Sequence, residues 1–280
     1  MQNKPKTVAL VANTSWNIHN FRLNLIKVLE ENGYQVVVIA PTDKYISYRE
    51  KFPKVKHYGL RQLNRKSLNP IREIKLVKEM VNVYKKADAD VYIQYTIKPN
   101  IFGSIAARLA DKKCISIITG LGYTFINNGY INKIAKILYR IALKNNSRVI
   151  FENQEDRLLF LRSKLTEDKK AVSIKGCGVD TEYFSPMPKK RTSDELVFTF
   201  IGRLLIDKGV KEFVEAAKLI VAKHKNIRFW VVGEIDADNP AMIKKQDLVA
   251  WTDSKVIEYK GFYDDVRQVI RDSDCIVLPS

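Results

Sequence analysis

Short runs rich in valine and isoleucine recur along the first 180 residues, and they limit the folds open to the chain. Six such runs occur, at residues 8–12, 35–40, 90–95, 114–119, 148–153 and 171–176. Their apolar residues are mostly continuous, as in strands that are buried on both faces of a parallel sheet. Helical patterns lie between the runs, and this alternation predicts a doubly wound α/β domain.

The helical patterns have the apolar spacing of amphipathic helices. The segment NFRLNLIKVLEENG, residues 20–33, is expected to end at Gly33, because glycine accepts the left-handed conformation that often closes a helix. The buried face predicted for this segment consists of Phe21, Leu25, Val28 and Leu29. Further helices are predicted at residues 70–86, 100–112 and 131–145.

A polar stretch with two prolines, SPMPKKRTSDE at residues 185–195, indicates a linker between two domains. Strand-like runs resume after it, at residues 196–202, 228–233, 255–262 and 275–280. The predicted organisation is a Rossmann-like domain over 1–185, a linker over 186–194 and a second Rossmann-like domain over 195–280. Because a parallel sheet needs both faces covered and the sequence stops at a strand-like run, we expect the second domain to be incomplete and the chain truncated at its C-terminal end.

The chain carries 48 lysines and arginines against 31 acidic residues, a formal net charge of +17. An excess of this size favours an anionic partner, and nucleic acid, anionic lipid and the phosphates of a sugar nucleotide all qualify. No apolar run approaches the about 18–20 residues of a membrane span, and the N-terminus lacks the pattern of a signal peptide. The widely spaced Cys114, Cys177 and Cys275 are expected to be buried free thiols in a reducing cytoplasm, and the scattered histidines predict no structural metal site.

The segment FTFIGRLLIDKGVKEF, residues 198–213, places two positive charges after a predicted strand. Gly202 closes that strand, and open α/β sheets bind ligands at the carboxyl edge of their strands. Arg203 offers a bidentate fork to phosphate, and Lys208 offers a point charge at the N-terminus of the next helix. Asp207 is a candidate cap for this helix. A diphosphate would suit the arrangement, and the alternative is two cations solvated on an ordinary turn.

Several motifs, in a fixed order along the chain, resemble one known family. FIGRLLIDKGVKEFVEAA is similar to the donor-site segment of the family 4 retaining glycosyltransferases, whose GT-B fold consists of two Rossmann-like domains. GCGVDTEYFSP resembles the interdomain element of that family, and RFWVVGE, VIEYKGFYDDV and SDCIVLPS resemble its later strand ends. NTSWNIHNFRLNLIKVL and TGLGYTF are most similar to bacterial members that build surface polysaccharide or glycan on a lipid carrier. The resemblance covers essentially the whole chain.

The resemblance implies transfer of a sugar, with retention at the anomeric carbon, from a nucleotide-sugar, usually a UDP-sugar, to a lipid-linked or polysaccharide acceptor. The donor-diphosphate residues that it implies are Gly202, Arg203 and Lys208. The residues that it implies for the donor nucleotide cleft are Gly233, Gly261 and Phe262. It implies no metal ion and no cofactor besides the donor substrate. The paired glutamates of the family would fall beyond Ser280, so the expected truncation would impair transfer.

Two other segments that follow predicted strands are candidates for the acceptor side. Asn17 and His19 lie after the first strand, and His19 is either a general base or hydrogen-bond partner for a sugar hydroxyl or a surface loop histidine. The segment TGLGYTF carries Gly120, Gly122 and Tyr123. It lacks the third glycine of a dinucleotide fingerprint, and both an acceptor-side loop and a plain strand-end turn stay open.

The predicted helix at 131–145 spaces its basic residues by three and four, which places them on one face. With the strand start that follows, these residues are Lys133, Lys136, Arg140, Lys144 and Arg148. One explanation is a solvated face opposite a core stripe, which would consist of Ile131, Ile134, Ile137, Leu138 and Ile141. The other is contact with an anionic membrane surface, which the basic residues at 61–80 favour.

The leading interpretation is a nucleotide-sugar glycosyltransferase in the cytoplasm, held peripherally at the inner face of the membrane. A nucleotide-sugar epimerase of the same fold is one alternative, and an inactive fragment that only binds or folds is another. Nucleic acid is not an expected partner, because the basic residues accompany no recognised nucleic-acid-binding module.

Overall fold

The computed structural model describes residues 5–64, 67, 69–120, 129–188, 194–235 and 241–280. The chain forms two compact units, Met1–Asp180 (unit 1) and Thr181–Ser280 (unit 2). The border lies before the position expected from the sequence, because Tyr183 packs within unit 2. The Arg267 guanidinium lies 3.8 Å from the centroid of the Tyr183 ring, and Arg267 Nη1 donates to the Tyr183 carbonyl oxygen at 3.3 Å.

The strands of unit 1 are β1 (Thr7–Val11), β2 (Gln35–Ala40), β3 (Lys56–Gly59), β4 (Val91–Tyr95), β5 (Cys114–Ile118), β6 (Arg148–Phe151) and β7 (Ala171–Ser173). Across the described part of unit 1 they pair in parallel as one sheet, in the order β3-β2-β1-β4-β5-β6-β7. Each of the six predicted runs forms a strand. β3 was not predicted, because it lies at the sheet edge, where its partly exposed side chains carry no apolar run.

The helices described in unit 1 are α1 (Ser15–Phe21), α2 (Leu23–Glu31), α3 (Tyr48–Lys51), α4 (Pro70–Ala87), α5 (Ser104–Leu109), α6 (Tyr130–Leu143) and α7 (Gln154–Arg162). The predicted helix over 20–33 is divided at Arg22, whose backbone is not helical (φ −126°, ψ 1°). The break changes the buried face, so that Ile26 is fully buried while Phe21 and Val28 are 44% and 51% exposed. The expected burial of Phe21 and Val28 is therefore wrong.

A buried polar network links β4, β5 and α5 inside unit 1. Asn146 Nδ2 donates to Ser104 Oγ at 3.1 Å and to Ser116 Oγ at 2.7 Å. Its Oδ1 accepts from the Cys114 thiol at 3.2 Å, and Ser104 Oγ donates to Gln94 Oε1 at 2.8 Å. Buried polar groups need such partners, so the network holds these elements in one arrangement.

The three cysteines differ in exposure. Cys114 is buried, whereas Cys177 and Cys275 are exposed. The expected burial of Cys177 and Cys275 is wrong. Cys177 lies in a connection rather than a strand, and Cys275 begins a two-residue strand, Cys275–Ile276, at the exposed edge of its sheet.

Unit 2 contains β8 (Leu196–Ile201), β9 (Ile227–Val232), β10 (Glu258–Gly261), β11 (Cys275–Ile276), α8 (Val210–Val221), α9 (Lys245–Asp253) and α10 (Arg267–Asp272). Its described strands pair in parallel in the order β10-β9-β8-β11. The Phe213 ring of α8 packs 5.9 Å from the Phe200 ring and 5.6 Å from the Phe229 ring, measured between centroids. The predicted fold class, α/β with two Rossmann-like domains, is confirmed.

Candidate functional site

Three strands of unit 2 end in glycines on one edge of the sheet. The N–H of Gly202 donates to the Val232 carbonyl at 3.0 Å, and the N–H of Gly233 donates to the Gly261 carbonyl at 2.9 Å. Gly233 has φ +148°, and a Cβ there would lie 1.8 Å from the carbonyl oxygen of Gly202. No other residue fits at Gly233 without a shift of the backbone. The carboxyl ends of β8, β9 and β10 are thus held close together by glycine.

The loop after β8 carries the two predicted phosphate-binding cations. Arg203 and Lys208 are both exposed, and Lys208 is the last residue of a short 3₁₀ turn, Ile206–Lys208. Gly209 follows with φ +73° and directly precedes α8 as its N-cap residue. Among the described residues no side chain caps α8, so Asp207 is not the cap that the sequence suggested. A helix N-terminus of this kind presents N–H groups and a partial positive charge to an anion.

Buried leucines hold this loop in place. Leu204 and Leu205 are 0% and 1% exposed. The N–H of Leu204 donates to the Glu234 carbonyl at 3.2 Å, and the N–H of Ile206 donates to the Ala241 carbonyl at 2.7 Å. Burial of the leucines and these hydrogen bonds therefore fix the loop backbone, while the side chains of Arg203 and Lys208 are exposed.

Gly209 and Pro279 form a contact that was not predicted. A Cβ at Gly209 would lie 2.6 Å from the Pro279 Cβ, so the segment after β11 passes directly against the start of α8. The positive φ of Gly209 and this contact both require glycine. The Lys-Gly pair before an apolar helix indicates a glycine-specific turn, but nothing local in the sequence indicates the contact with Pro279.

The end of β10 supplies the third predicted element. Gly261 has φ +76°, and Phe262 after it is 49% exposed. Tyr259 Oη donates to the Gly233 carbonyl at 2.9 Å, which ties β10 to the end of β9. The structure thus brings Gly202, Gly233 and Gly261 to the edge that also carries the Arg203 loop.

In the sheet of unit 1, β1 and β4 lie side by side. The next strand after β1, which is β2, pairs on one side of them, and the next strand after β4, which is β5, pairs on the other. Asn17 and His19 lie after β1 in helix α1, not in a loop. The N–H of Asn17 donates to Thr14 Oγ1 at 3.1 Å, and the half-buried His19 ring lies 5.7 Å from the Tyr45 ring. Gly120 is exposed after β5, with φ +111°. Gly122 and Tyr123 lie outside the described residues.

A buried charged pair at the same edge of unit 1 was missed. The Arg22 guanidinium lies 4.0 Å from the centroid of the Tyr95 ring, and its Nη2 lies 3.7 Å from Glu152 Oε1. The two side chains are 7% and 18% exposed. Burial raises the pKa of the Glu152 carboxyl above its ordinary value, and the Arg22 guanidinium opposes this shift. The available signal was a glutamate placed directly after a buried strand.

This pair leaves hydrogen-bonding capacity unused. Within the described ranges, Arg22 Nε and Glu152 Oε1 have no hydrogen-bond partner, and neither has Asn17 Oδ1 or Thr96 Oγ1. All four atoms are buried, and each belongs to a residue that follows β1, β4 or β6. Buried polar atoms are nearly always hydrogen-bonded in folded proteins, so unsatisfied atoms at a carboxyl sheet edge indicate a place for a polar ligand or water.

The basic face predicted around α6 is partly correct. Lys133, Lys136 and Arg140 lie on the helix and Lys144 directly follows it, whereas Arg148 is the first residue of β6. The expected core stripe is wrong for four of its five residues, because Ile131, Ile134, Ile137 and Ile141 are each at least 50% exposed, whereas Leu138 is partly buried against the core. The face that packs on unit 1 is formed instead by Ala135, Tyr139, Ala142 and Leu143.

Two family models match the chain, one described as glycosyl transferase 4-like over residues 7–153 and one described as glycosyl transferases group 1 over residues 195–280. A relative from Campylobacter jejuni, named N,N'-diacetylbacillosaminyl-diphospho-undecaprenol alpha-1,3-N-acetylgalactosaminyltransferase, is 28% identical over 98% of this chain and 74% of its own length. A relative from Escherichia coli, named UDP-Gal:alpha-D-GlcNAc-diphosphoundecaprenol alpha-1,3-galactosyltransferase, is 28% identical over 77% of this chain and 58% of its own length.

Solved structures agree on the fold. Anabaena HepE in complex with UDP-glucose matches with a TM-score of 0.70 and 17% sequence identity, over 98% of this chain and 74% of that chain. Two Rossmann-like units in one chain are the composition of the GT-B fold. The first family model alone covers more than half of the 280 residues. The chain belongs to the glycosyl transferase 4-like family and is a glycosyltransferase enzyme.

Proposed function

We propose that this enzyme transfers a sugar from a UDP-sugar to a sugar held on a lipid diphosphate, with retention at the anomeric carbon. The names of two relatives support the substrates. The Campylobacter jejuni relative is named for a sugar-diphospho-undecaprenol, and the Escherichia coli relative is named for UDP-Gal and a diphosphoundecaprenol-linked sugar. A polysaccharide acceptor without the lipid is the alternative within the same reaction class.

The start of α8 is the observation that carries the proposal. Lys208 directly precedes Gly209 at the helix start, and Arg203 lies on the same loop. A diphosphate placed here would receive helix N–H groups, a guanidinium fork and an ammonium. During transfer the bond between the anomeric carbon and the diphosphate oxygen breaks, and the acceptor hydroxyl oxygen bonds to that carbon. The departing nucleotide takes up the negative charge and the hydroxyl proton, and cations fixed at this point would stabilise that charge.

The glycine strand ends would receive the rest of the nucleotide. Because Gly202, Gly233 and Gly261 have no side chains, a planar base and its ribose could approach the backbone closely, with Phe262 beside them. On the acceptor side, Asn17, His19, Gly120, Gly122 and Tyr123 stay candidates, and His19 is proposed to contact the reacting hydroxyl. The unsatisfied Arg22–Glu152 pair is added to this set.

The donor is the only small molecule that the proposal requires besides the acceptor. Chelation of divalent ions should therefore leave the rate of transfer unchanged. Because a lipid-linked acceptor lies at a bilayer, we place the enzyme peripherally on the cytoplasmic face of the membrane, with an anionic membrane surface as partner. Within the described ranges, no helix combines the length and apolar composition needed to cross a bilayer.

A labelled donor distinguishes this function from the alternatives. The chain is incubated with a UDP-sugar labelled in the sugar, with and without a polyprenyl-diphosphate-linked sugar. The proposal predicts label in the lipid extract only when the acceptor is present. A new sugar epimer formed from the donor alone would identify an epimerase. Absence of both products, with UDP still bound, would identify a protein that binds without transferring.

A further inference from the structure

Four isoleucines of α6 lie on its exposed surface. Ile131, Ile134, Ile137 and Ile141 are 52%, 57%, 53% and 50% exposed. Ala135 and Ala142, on the face that packs against the core, are only 6% and 3% exposed. Fully burying an isoleucine side chain is worth about 1.5–3 kcal/mol, so a row of four left in water needs a reason.

The positions around the helix separate into three stripes. A helix turns about 100° per residue, so the four isoleucines occupy one stripe. The buried residues Ala135, Tyr139, Ala142 and Leu143 occupy a second stripe, which adjoins the first at Ile131. On the remaining side of the helix, Lys133, Lys136, Arg140 and Lys144 separate the two stripes. The isoleucine row (Ile131, Ile134, Ile137 and Ile141) is thus bordered on one side by cations, as in helices that lie in a membrane interface.

A basic groove lies beside this helix. It has a volume of about 370 Å³, and its lining includes Arg140, Lys144, Lys164 and Lys170 around one carboxylate, Glu167. Arg140 Nη2 donates to the Ser163 carbonyl at 3.0 Å, and Lys170 Nζ donates to the Lys144 carbonyl at 2.6 Å. These partners are backbone carbonyls, and the lining has four basic side chains against one acidic one. The groove therefore suits a phosphate group.

We propose that α6 docks this protein on an anionic lipid bilayer, with the isoleucine row in the acyl region and the basic groove on lipid phosphates. The inference deepens the proposed function, because a lipid-linked acceptor lies in such a bilayer. Charge complementarity selects this occupant: cations border an apolar row, as anionic headgroups border acyl chains. A second copy of this chain would bring equal charges together, since the net charge is +17.

Vesicle flotation of the full 280-residue chain tests the docking surface without donor or acceptor. One set of vesicles is phosphatidylcholine alone, and the other contains phosphatidylglycerol as well. The test variant is Ile134→Ser/Ile137→Ser, and the matched control is Leu219→Ser/Val249→Ser, at exposed positions of α8 and α9. A third variant, Lys144→Gln/Lys164→Gln, tests the groove. In a fourth, Ile137→Trp, indole emission reports the polarity around the row.

The unmodified chain is expected to bind the anionic vesicles and to bind the neutral ones weakly. The isoleucine variant should lose at least about tenfold in binding, because two apolar contacts are lost, while the control binds as before. The groove variant should bind more weakly and depend less on salt, and Ile137→Trp emission should shift to the blue only with anionic vesicles.

Unchanged binding by Ile134→Ser/Ile137→Ser, or no vesicle binding by the unmodified chain, would overturn the proposal. So would a dimer that this variant converts to monomer while vesicle binding persists, since the row would then be a contact between copies. UDP binding measured on the same samples separates the two proposals, because it requires neither the vesicles nor the row.

Discussion

The carbonyl oxygen of Gly202 lies where Gly233 has no room for a side chain: a Cβ on Gly233 would stand 1.8 Å from it. The two residues end neighbouring strands, β8 and β9, and the contact brings the strand ends together at the candidate donor site. Close approach of two backbones is a structural requirement here, and it leaves no side chain between the sheet edge and a ligand.

Gly233→Ala should destabilise unit 2. The positive φ alone costs about 1–3 kcal/mol for a residue with a Cβ, and the clash with Gly202 adds to it. Urea unfolding followed by the emission of Trp230 and Trp251, both in unit 2, measures the loss. Gly261→Ala is the matched control, because its φ is also positive but a Cβ there has open space. Equal losses in the two variants would show that the contact with Gly202 is unimportant.

Asn146→Ala should destabilise unit 1 by about 1–3 kcal/mol, because Cys114, Ser104 and Ser116 would lose a buried partner. The neighbouring Asn145→Ala, at an exposed position, should change the free energy of unfolding little. Chemical denaturation of both variants makes the comparison. A loss in Asn145→Ala as large as that in Asn146→Ala would contradict the role given to the network.

Arg22→Met should destabilise the protein more at neutral pH than in acid. Burial already raises the pKa of Glu152 from its ordinary 4.5, and removal of Arg22 raises it further. The folded state then holds the proton more tightly than the unfolded state, so stability falls as pH rises from 4.5 through the folded-state pKa. The loss should be small below that window and reach up to about 3 kcal/mol above it.

Unfolding free energies measured across that pH range check this prediction. The double variant Arg22→Met/Glu152→Leu is the control, because it removes both charges. Its loss of unfolding free energy relative to the unmodified chain should not increase between acid and neutral pH. A loss in Arg22→Met that is equal at acid and neutral pH would mean that the pair is not coupled.

The strands were predictable from the sequence because burial on both faces leaves a continuous apolar run. β3 was not, since an edge strand with Lys56 and His57 has no such run. The orientation of α6 could not be predicted either. Its spacing allows either an isoleucine face or an alanine–tyrosine face to pack inward. Only the fit of Ala135 and Tyr139 against the rest of unit 1 decides between the two faces.

The candidate site also has a part that the sequence predicts and a part that it does not. The loop of Arg203 and Lys208 follows from a local motif, in which a strand, a glycine and a helix start are consecutive. Arg22 and Glu152 are 130 positions apart in the sequence and meet only because β1 and β6 end at the same edge of one sheet. The position of Glu152 directly after a buried strand marks that residue alone, and nothing local in the sequence pairs it with Arg22.

Calorimetric titration of UDP tests the central claim that the start of α8 holds the donor diphosphate. Lys208→Ala is compared with Lys218→Ala, which removes an exposed lysine from the same helix, paired with Glu215 at 2.7 Å. A charged contact to phosphate contributes about 1.5–3 kcal/mol, so Lys208→Ala should weaken UDP binding about 10- to 100-fold, and Arg203→Ala similarly, while Lys218→Ala binds as the unmodified chain does. Unchanged UDP affinity in Lys208→Ala and Arg203→Ala would contradict the account.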